Sequence, residues 1–523
     1  MRALRPTLAA LATAVSTVAC AADYYVSKTG NDSNTGSLAS PFLTIARGIT
    51  MAQSGDTVFV RGGTYNERPN ITKSGTASAP FILRAYPGET PVLDCGSLSV
   101  PTGAGDEPVI RIKDRSHVIV QGFTIQNWRS SNPNALPEGI LINATGSTTM
   151  SNIRILNNTI HHVEQNSADT GNAGDAHGIK VAGRSTNAMT GIVIDGNHLH
   201  NLRLGTSEAL VVNGNVSDWR VTNNRVHDCN NIGIDMIGFE NGSLPTSIDR
   251  ARNGVCAGNV VFNIDARFNP GYGGSFTTGG GDPSAGGIYV DGGTNIIIER
   301  NVVFSCNYGI EIASEEVFGV GITDFITLRN NLVHHNHQSG LIMGGYSSSR
   351  GTATNCTVNN NTFFQNGTFG ATVQMFGQHH VTNNTFRNNI VVSTPNTRLV
   401  FGVYPNGAAS TFTGNIFSHN LYYSAAGSAE FEVGNTNYSS ISSWQAATSV
   451  NGGDTGSTAE NPLFEEPSIV LTTNVAGYQP STSSPAINTG QPSPTYQPGS
   501  GEQDLQEKSR LRGGRVDRGA IER

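Results

Sequence analysis

Lys180, Asn213, Asp235, Tyr289, Asp291 and Glu311 carry groups able to move a proton, hold a cation or grip a sugar, and all sit in one recurring motif. The motif runs glycine, apolar, any, apolar, any, and its copies begin near residues 139, 178, 209, 233, 287, 309 and 340. Its second and fourth positions are always apolar, so they face an interior, and the third and fifth project outward. The third positions form a column of Leu141, Lys180, Val211, Asp235, Tyr289, Glu311 and Ile342. The fifth positions are Asn143, Ala182, Asn213, Ile237, Asp291, Ala313 and Gly344. Reactive types gather in the middle copies, with Glu208, Glu240, Glu315 and Glu316 close by in sequence. Lys180 is the sole lysine between residues 114 and 507, and His177 precedes it by three residues.

Three chemistries suit such a patch. The first is β-elimination on a uronate polymer, which needs a base for the proton beside the sugar carboxylate and a cation to neutralise that carboxylate. Lys180 is the candidate base, provided burial and neighbouring cations lower its pKa. His177 is a further candidate for proton transfer. Acids alone would repel an acidic polymer, so this chemistry calls for Ca²⁺ on Asp235, Asn213 and Asp291. The second is glycoside hydrolysis by Asp235, Asp291 and Glu311, whose two-rung spacing of about 9–10 Å suits an inverting enzyme. The third is binding without turnover, with Tyr289, Tyr272 and Phe239 stacking on sugar rings.

The element that must align these residues is a repeat. A segment of alternating apolar residues ending in Asn recurs with its Asn at 158, 197, 224, 259, 301, 331, 361, 389 and 415, and Gly122 stands in the same place earlier. Each copy is too short to bury its own apolar face, so copies must stack, one coil per repeat. Alternation with a period of two means strands. The expected fold is all-β: a right-handed parallel β-helix, its strands about 4.8 Å apart and its asparagines stacked as an amide ladder. Ser40-Pro41 is read as opening a short helix through Ala52 that caps the first coil. The 46 residues between Glu240 and Gly287 form a long loop that would wall a cleft.

Around this core the chain divides into an export leader over 1–22, the β-helix over 23–455 and a Ser/Pro/Gly-rich wrapping or capping segment over 456–523. Arg2 and Arg5, the apolar run that follows, and Ala19-Cys20-Ala21 predict cleavage near Ala21 and a secreted, extracellular or periplasmic, monomeric protein. No later run is long and apolar enough to span a bilayer. With 39 acidic against 32 basic residues and no basic patch, nucleic acid is not an expected partner; a polysaccharide is. Cys95, Cys229, Cys256, Cys306 and Cys356 are too widely spaced for a disulfide framework or zinc site and read as buried packers.

Asp23-Tyr24-Tyr25-Val26-Ser27, Gly30-Asn31-Asp32, Pro41-Phe42 and Gly55-Asp56-Thr57-Val58 resemble the start of secreted bacterial β-helix proteins, family 9 pectate lyases among them. Ser484-Pro485-Ala486-Ile487 and Asp517-Arg518-Gly519-Ala520-Ile521-Glu522 resemble the trailer of such exported proteins. His177-Gly178-Ile179-Lys180-Val181-Ala182-Gly183 is similar to the stretch carrying the base lysine of family 9, so the resemblance implies that role for Lys180. That family clusters aspartates on coils before its lysine. Here the coil at Glu138-Gly139 offers one acid, and the aspartates follow Lys180.

Overall fold

Because the apolar residues alternate in every coil, each strand finds its partner in the coil above, and the chain winds into a right-handed parallel β-helix. In this computed structural model the described residues are 21–523 apart from 102, 104, 172, 370–372, 396–398, 404–412, 428, 434–435, 449–452 and 468–473. The export leader expected over 1–22 therefore lies, but for its last two residues, outside the described residues. Three long sheets form the walls, of 15, 13 and 13 strands among the described residues. Their pairing is parallel throughout, save the antiparallel pair Glu430–Val433 and Thr436–Tyr438.

The motif strands stack in one 13-stranded wall in the register the sequence predicts. Leu141 pairs with Lys180, Lys180 with Val211, Val211 with Asp235, Asp235 with Tyr289, Tyr289 with Glu311, and Glu311 with Ile342. The alternate residues Ile140, Ile179, Leu210, Ile234, Ile288, Ile310 and Leu341 fill the lumen and are buried. Burial of each such side chain stabilises the stack by about 1.5–3 kcal/mol. The five cysteines of the described residues are free thiols inside or against this core.

At one corner an amide ladder climbs the helix. From Asn158 through Asn197, Asn224, Asn259, Asn301, Asn331, Asn361 and Asn389, each backbone N–H and side-chain Nδ2 donates to the next asparagine's Oδ1 at 2.9–3.1 Å. The last step corrects the sequence reading: Asn389 donates to Asn420, whereas Asn415 continues a neighbouring ladder above Asn384.

The capping helix is also shorter than expected, spanning Ile45–Met51. Pro41 and Phe42 are extended instead, with Phe42 N–H donating to Tyr25 O and Ser27 N–H to Phe42 O. Thr44 is the N-cap, its hydroxyl accepting from Arg47 N–H at 3.1 Å. Ile45 and Ile49 turn onto the first coil. Residues after 456 run back along the flank of the upper coils: Tyr496 bonds Asn360, Glu502 pairs with Arg329, and Arg518 reaches Thr458. Leu505, Ala520 and Ile521 cover an outward apolar face made by Phe304, Leu332, Phe364 and Ile390.

Candidate active site

The predicted columns do share one wall, but they do not lie open to solvent. Lys180 is 7% exposed, Asp235 1%, Tyr289 3%, Asp291 7% and His177 3%, so the third and fifth positions form the floor of a covered groove. The covering comes from loops. Glu240 Oε2, on the loop after Ile234–Ile237, accepts from Asn213 Nδ2 at 2.7 Å. The 46-residue loop expected between Glu240 and Gly287 is interrupted, because strands Ala251–Ala257 and Val260–Ile264 add rungs to the other two walls. Tyr272, on the turn Pro270–Tyr272 that follows them, lies half-buried beside Asn231, near Glu208, Glu311 and Glu315. A cavity of about 420 Å³ opens over the lower floor, lined by His177, Lys180, Arg184, Glu208, Asn213 and Glu240 among others.

At the lower end the charges are paired. Lys180 Nζ donates to Asp106 Oδ1 at 3.1 Å and stands 3.2 Å from Glu138 Oε1, and Arg184 closes on Asp106 Oδ2 at 2.7 Å. This overturns the sequence expectation of neighbouring cations lowering the lysine's pKa. Burial does oppose its charge, but Glu138 and Asp106 outweigh burial and hold Lys180 above the ordinary lysine range. Burial likewise disfavours the Asp106 carboxylate, yet Lys180 and Arg184 together hold it well below the usual range. Burial pushes Glu138 up to about 8, against the pull of Lys180.

Sequence reasoning missed Asp106 and undervalued Glu138. Asp106 lies on strand Gly105–Lys113, two coils below Lys180 and without the glycine motif. Register was the available signal: Leu136 pairs with Asp106 and Glu138 with His177, which aligns both acids beneath the lysine's strand. His177 Nδ1 faces Glu208 O at 3.1 Å and Glu208 Oε2 at 3.6 Å, and full burial, aided by Lys180, keeps its imidazole neutral.

At the upper end the acids lack partners of opposite sign. Asp235, Asp291 and Glu311 are each raised well above the carboxylate range, first by burial and then by other acids: Glu208 and Asp291 act on Asp235, and Glu315 on Asp291 and Glu311. Asp291 Oδ1 accepts from Glu315 N–H at 2.8 Å, while Asp235 Oδ1 is buried without any hydrogen-bond partner. Oxygen donors with an orphaned, buried carboxylate oxygen fit a hard cation such as Ca²⁺. Among the described residues, no three acidic, histidine or cysteine side chains are already closed around a metal-sized point.

The aromatic candidates behave differently from the stacking platforms expected. The ring of Tyr289 is buried, and Phe239 is sandwiched between Gly292 and the Arg250 guanidinium, 5.0 Å from its centroid. Its positive φ of 71° turns the chain into the covering loop. Phe239 and Tyr272 each keep part of their surface exposed, and Tyr272 lies near the groove acids Glu208, Glu311 and Glu315. A second cavity, of about 470 Å³, opens on the adjacent sheet beside Glu164, Asp228 and Asp265. Those acids are already paired, with Arg129, His227 and Arg267, which leaves less chemistry there.

Comparison with known proteins agrees with this architecture. A protein of Bacillus subtilis (strain 168), "Uncharacterized protein YwoF", is 35% identical over 450 residues, spanning 85% of this chain and 89% of that one. The chain belongs to the YwoF family. Within it, residues 24–167 match the family described as "Pel9A-like, right handed beta helix region", and 282–464 match "Right handed beta helix region". A 76-residue segment is 49% identical to "Pectate lyase PEL9" of Emericella nidulans, covering 14% of this chain and 18% of that protein. The chain is thus a β-helix protein resembling family 9 pectate lyases. Among solved structures, the GH136 lacto-N-biosidase of Eubacterium ramulus shares the fold, with a TM-score of 0.53 and 16% identity over 79% of this chain and 67% of that one. No helix of the described residues is long and apolar enough to cross a membrane.

Proposed function

We propose that the groove cleaves a uronate-containing polysaccharide by β-elimination, with Lys180 as the base. The observation that carries this reading is the lysine itself: an ammonium fixed on the floor of a cavity of about 420 Å³, held by Asp106 and Glu138. The Pel9A-like match and the pectate lyase relative support it. Four rungs separate Lys180 from Glu311, about 19 Å, enough for several sugar units. A hard cation on Asp235, Asp291 and the Asn213 carbonyl would neutralise the substrate carboxylate and so acidify the adjacent C–H. Lys180, once deprotonated, takes that proton, the bond to the leaving oxygen breaks, and the oxygen is protonated through cleft water. His177, neutral and held by Glu208, packs beside the amine without competing for charge. An export leader over 1–22, as the sequence suggests, would deliver the protein outside the cytoplasm, where such polymers occur.

A second reading has its own observation. Burial first, and then neighbouring acids, shift Asp235, Asp291 and Glu311 toward the protonated form that a general acid needs, so an inverting hydrolase is the alternative. A screen on pectate, alginate, rhamnogalacturonan and neutral glucans separates the two. Ultraviolet-absorbing unsaturated ends that vanish in Lys180→Ala support elimination. Reducing ends without that chromophore, lost in Asp235→Asn, overturn it, and binding without either product overturns both.

A further inference from the structure

Beneath Lys180 lies a carboxyl group that the elimination reading leaves unused. Glu138 is 0% exposed, its Oε1 is 3.2 Å from Lys180 Nζ, and neither of its oxygens receives a well-formed hydrogen bond. A wholly buried carboxylate with one shared cation and no other donor is costly to keep, and a glutamine or leucine would fill the place more cheaply. We propose that Glu138 is the positioning residue of the groove, fixing Lys180 Nζ in place and accepting the proton the lysine must lose before it acts as a base. The proposal rests on the reading of Lys180 as the base and names the residue that makes the amine available.

The charged surroundings single out Glu138 over its neighbour. From the strand above, Lys180 and His177 face it, and His177 is neutral. From the strand below comes Asp106, with Arg184 bonded to the far side of that carboxylate. Asp106 answers to two cations and stays ionised, so it cannot take a proton near neutral pH. Glu138 shares that one ammonium with Asp106 and also faces the Asp106 carboxylate; burial, the larger cause, pushes it up to about 8, and the neighbouring carboxylate adds to the rise. A proton moving from Nζ to Oε1 breaks one N–H bond, forms one O–H bond and turns a buried ion pair into a neutral amine beside a neutral acid. The amine then takes the sugar's proton and passes it, through cleft water, to the departing oxygen, while Glu138 keeps its own for the next turnover. No further reactant is needed.

The pair is competent when it carries one proton and idle when it carries two. Activity of the wild type therefore rises with pH through about 8. In Glu138→Gln the lysine must lose its proton to solvent, so the midpoint moves up by more than one pH unit and kcat at pH 8 falls about 100-fold. Glu138→Asp restores a midpoint near the wild-type one, with reduced kcat. A merely structural role would lower the rate equally at every pH and leave the midpoint unmoved, and that result overturns the proposal. Infrared difference spectra of wild type minus Glu138→Gln need no substrate. A protonated-carboxyl band that titrates near pH 8 supports the pairing, and its absence between pH 6 and 10 overturns it, whatever the fate of the elimination reading.

Discussion

At the lower end of the groove Asp106 and Glu138 lie within 3.2 Å of Lys180, and Arg184 completes the set. At the upper end, three to four rungs away, Asp291 and Glu311 are raised first by burial and then by other acids, as Asp235 is between them. Both ends are buried to a similar depth on the same wall, so burial alone does not set their chemistry. What differs is the sign of the nearest charge. Below, opposite charges fix a lysine in one place; above, like charges leave acids that protons or a bound cation must neutralise. Removing a charged group should therefore have opposite effects on stability at the two ends.

The largest effect is expected from Lys180→Ala. Elimination should fall about 10³-fold. The variant should also lose about 3 kcal/mol of stability at pH 8, because two buried carboxylates lose their cation, as denaturant titration can read. Next is calcium at the upper end: at a hundred times its dissociation constant it should stabilise the wild type by about 2.7 kcal/mol. A chelator should reverse that gain in calorimetry, and Asp235→Asn combined with Asp291→Asn should abolish it.

The third prediction concerns pH without metal. Asp235, Asp291 and Glu138 have folded-state pKa values raised above those of the unfolded chain. The stability they confer is full below the ordinary carboxylate range and drains away as pH rises through their folded values, which for Glu138 is about 8. Tm should thus decline from pH 5 to pH 8. Asp235→Asn should flatten the decline and raise stability at pH 8 by about 1 kcal/mol, close to the free energy of a tenfold change in proton affinity. The smallest effect belongs to Arg184→Ala. Its side chain is 44% exposed, so it should change stability by about 0.5 kcal/mol, and less in high salt.

Much of this architecture is legible in the sequence because a period-two pattern and a corner asparagine together specify strand, face and register. The column from Leu141 to Ile342 follows from that alone. The ladder slipped at Asn415 because each upper coil carries asparagines on both sides of one short strand, as Asn384 and Asn389 do, and the pattern does not say which corner is which. The covered state of the groove was not legible, since the residues that cover it, Glu240 and Tyr272, come from loops without a period. Asp106 was missed for a related reason: register tells which residues stack, but a long lysine side chain reaches two rungs down to an acid on a strand that has Val109 where the motif has glycine.

Elimination on this wall is tested most directly by digesting a uronate polymer in oxygen-18 water and weighing the fragments. Elimination predicts new ends one water lighter than hydrolysis fragments, free of the heavy oxygen, and absent with Lys180→Ala. Fragments that carry oxygen-18 at the reducing end would contradict it and assign the groove to its upper carboxylates instead.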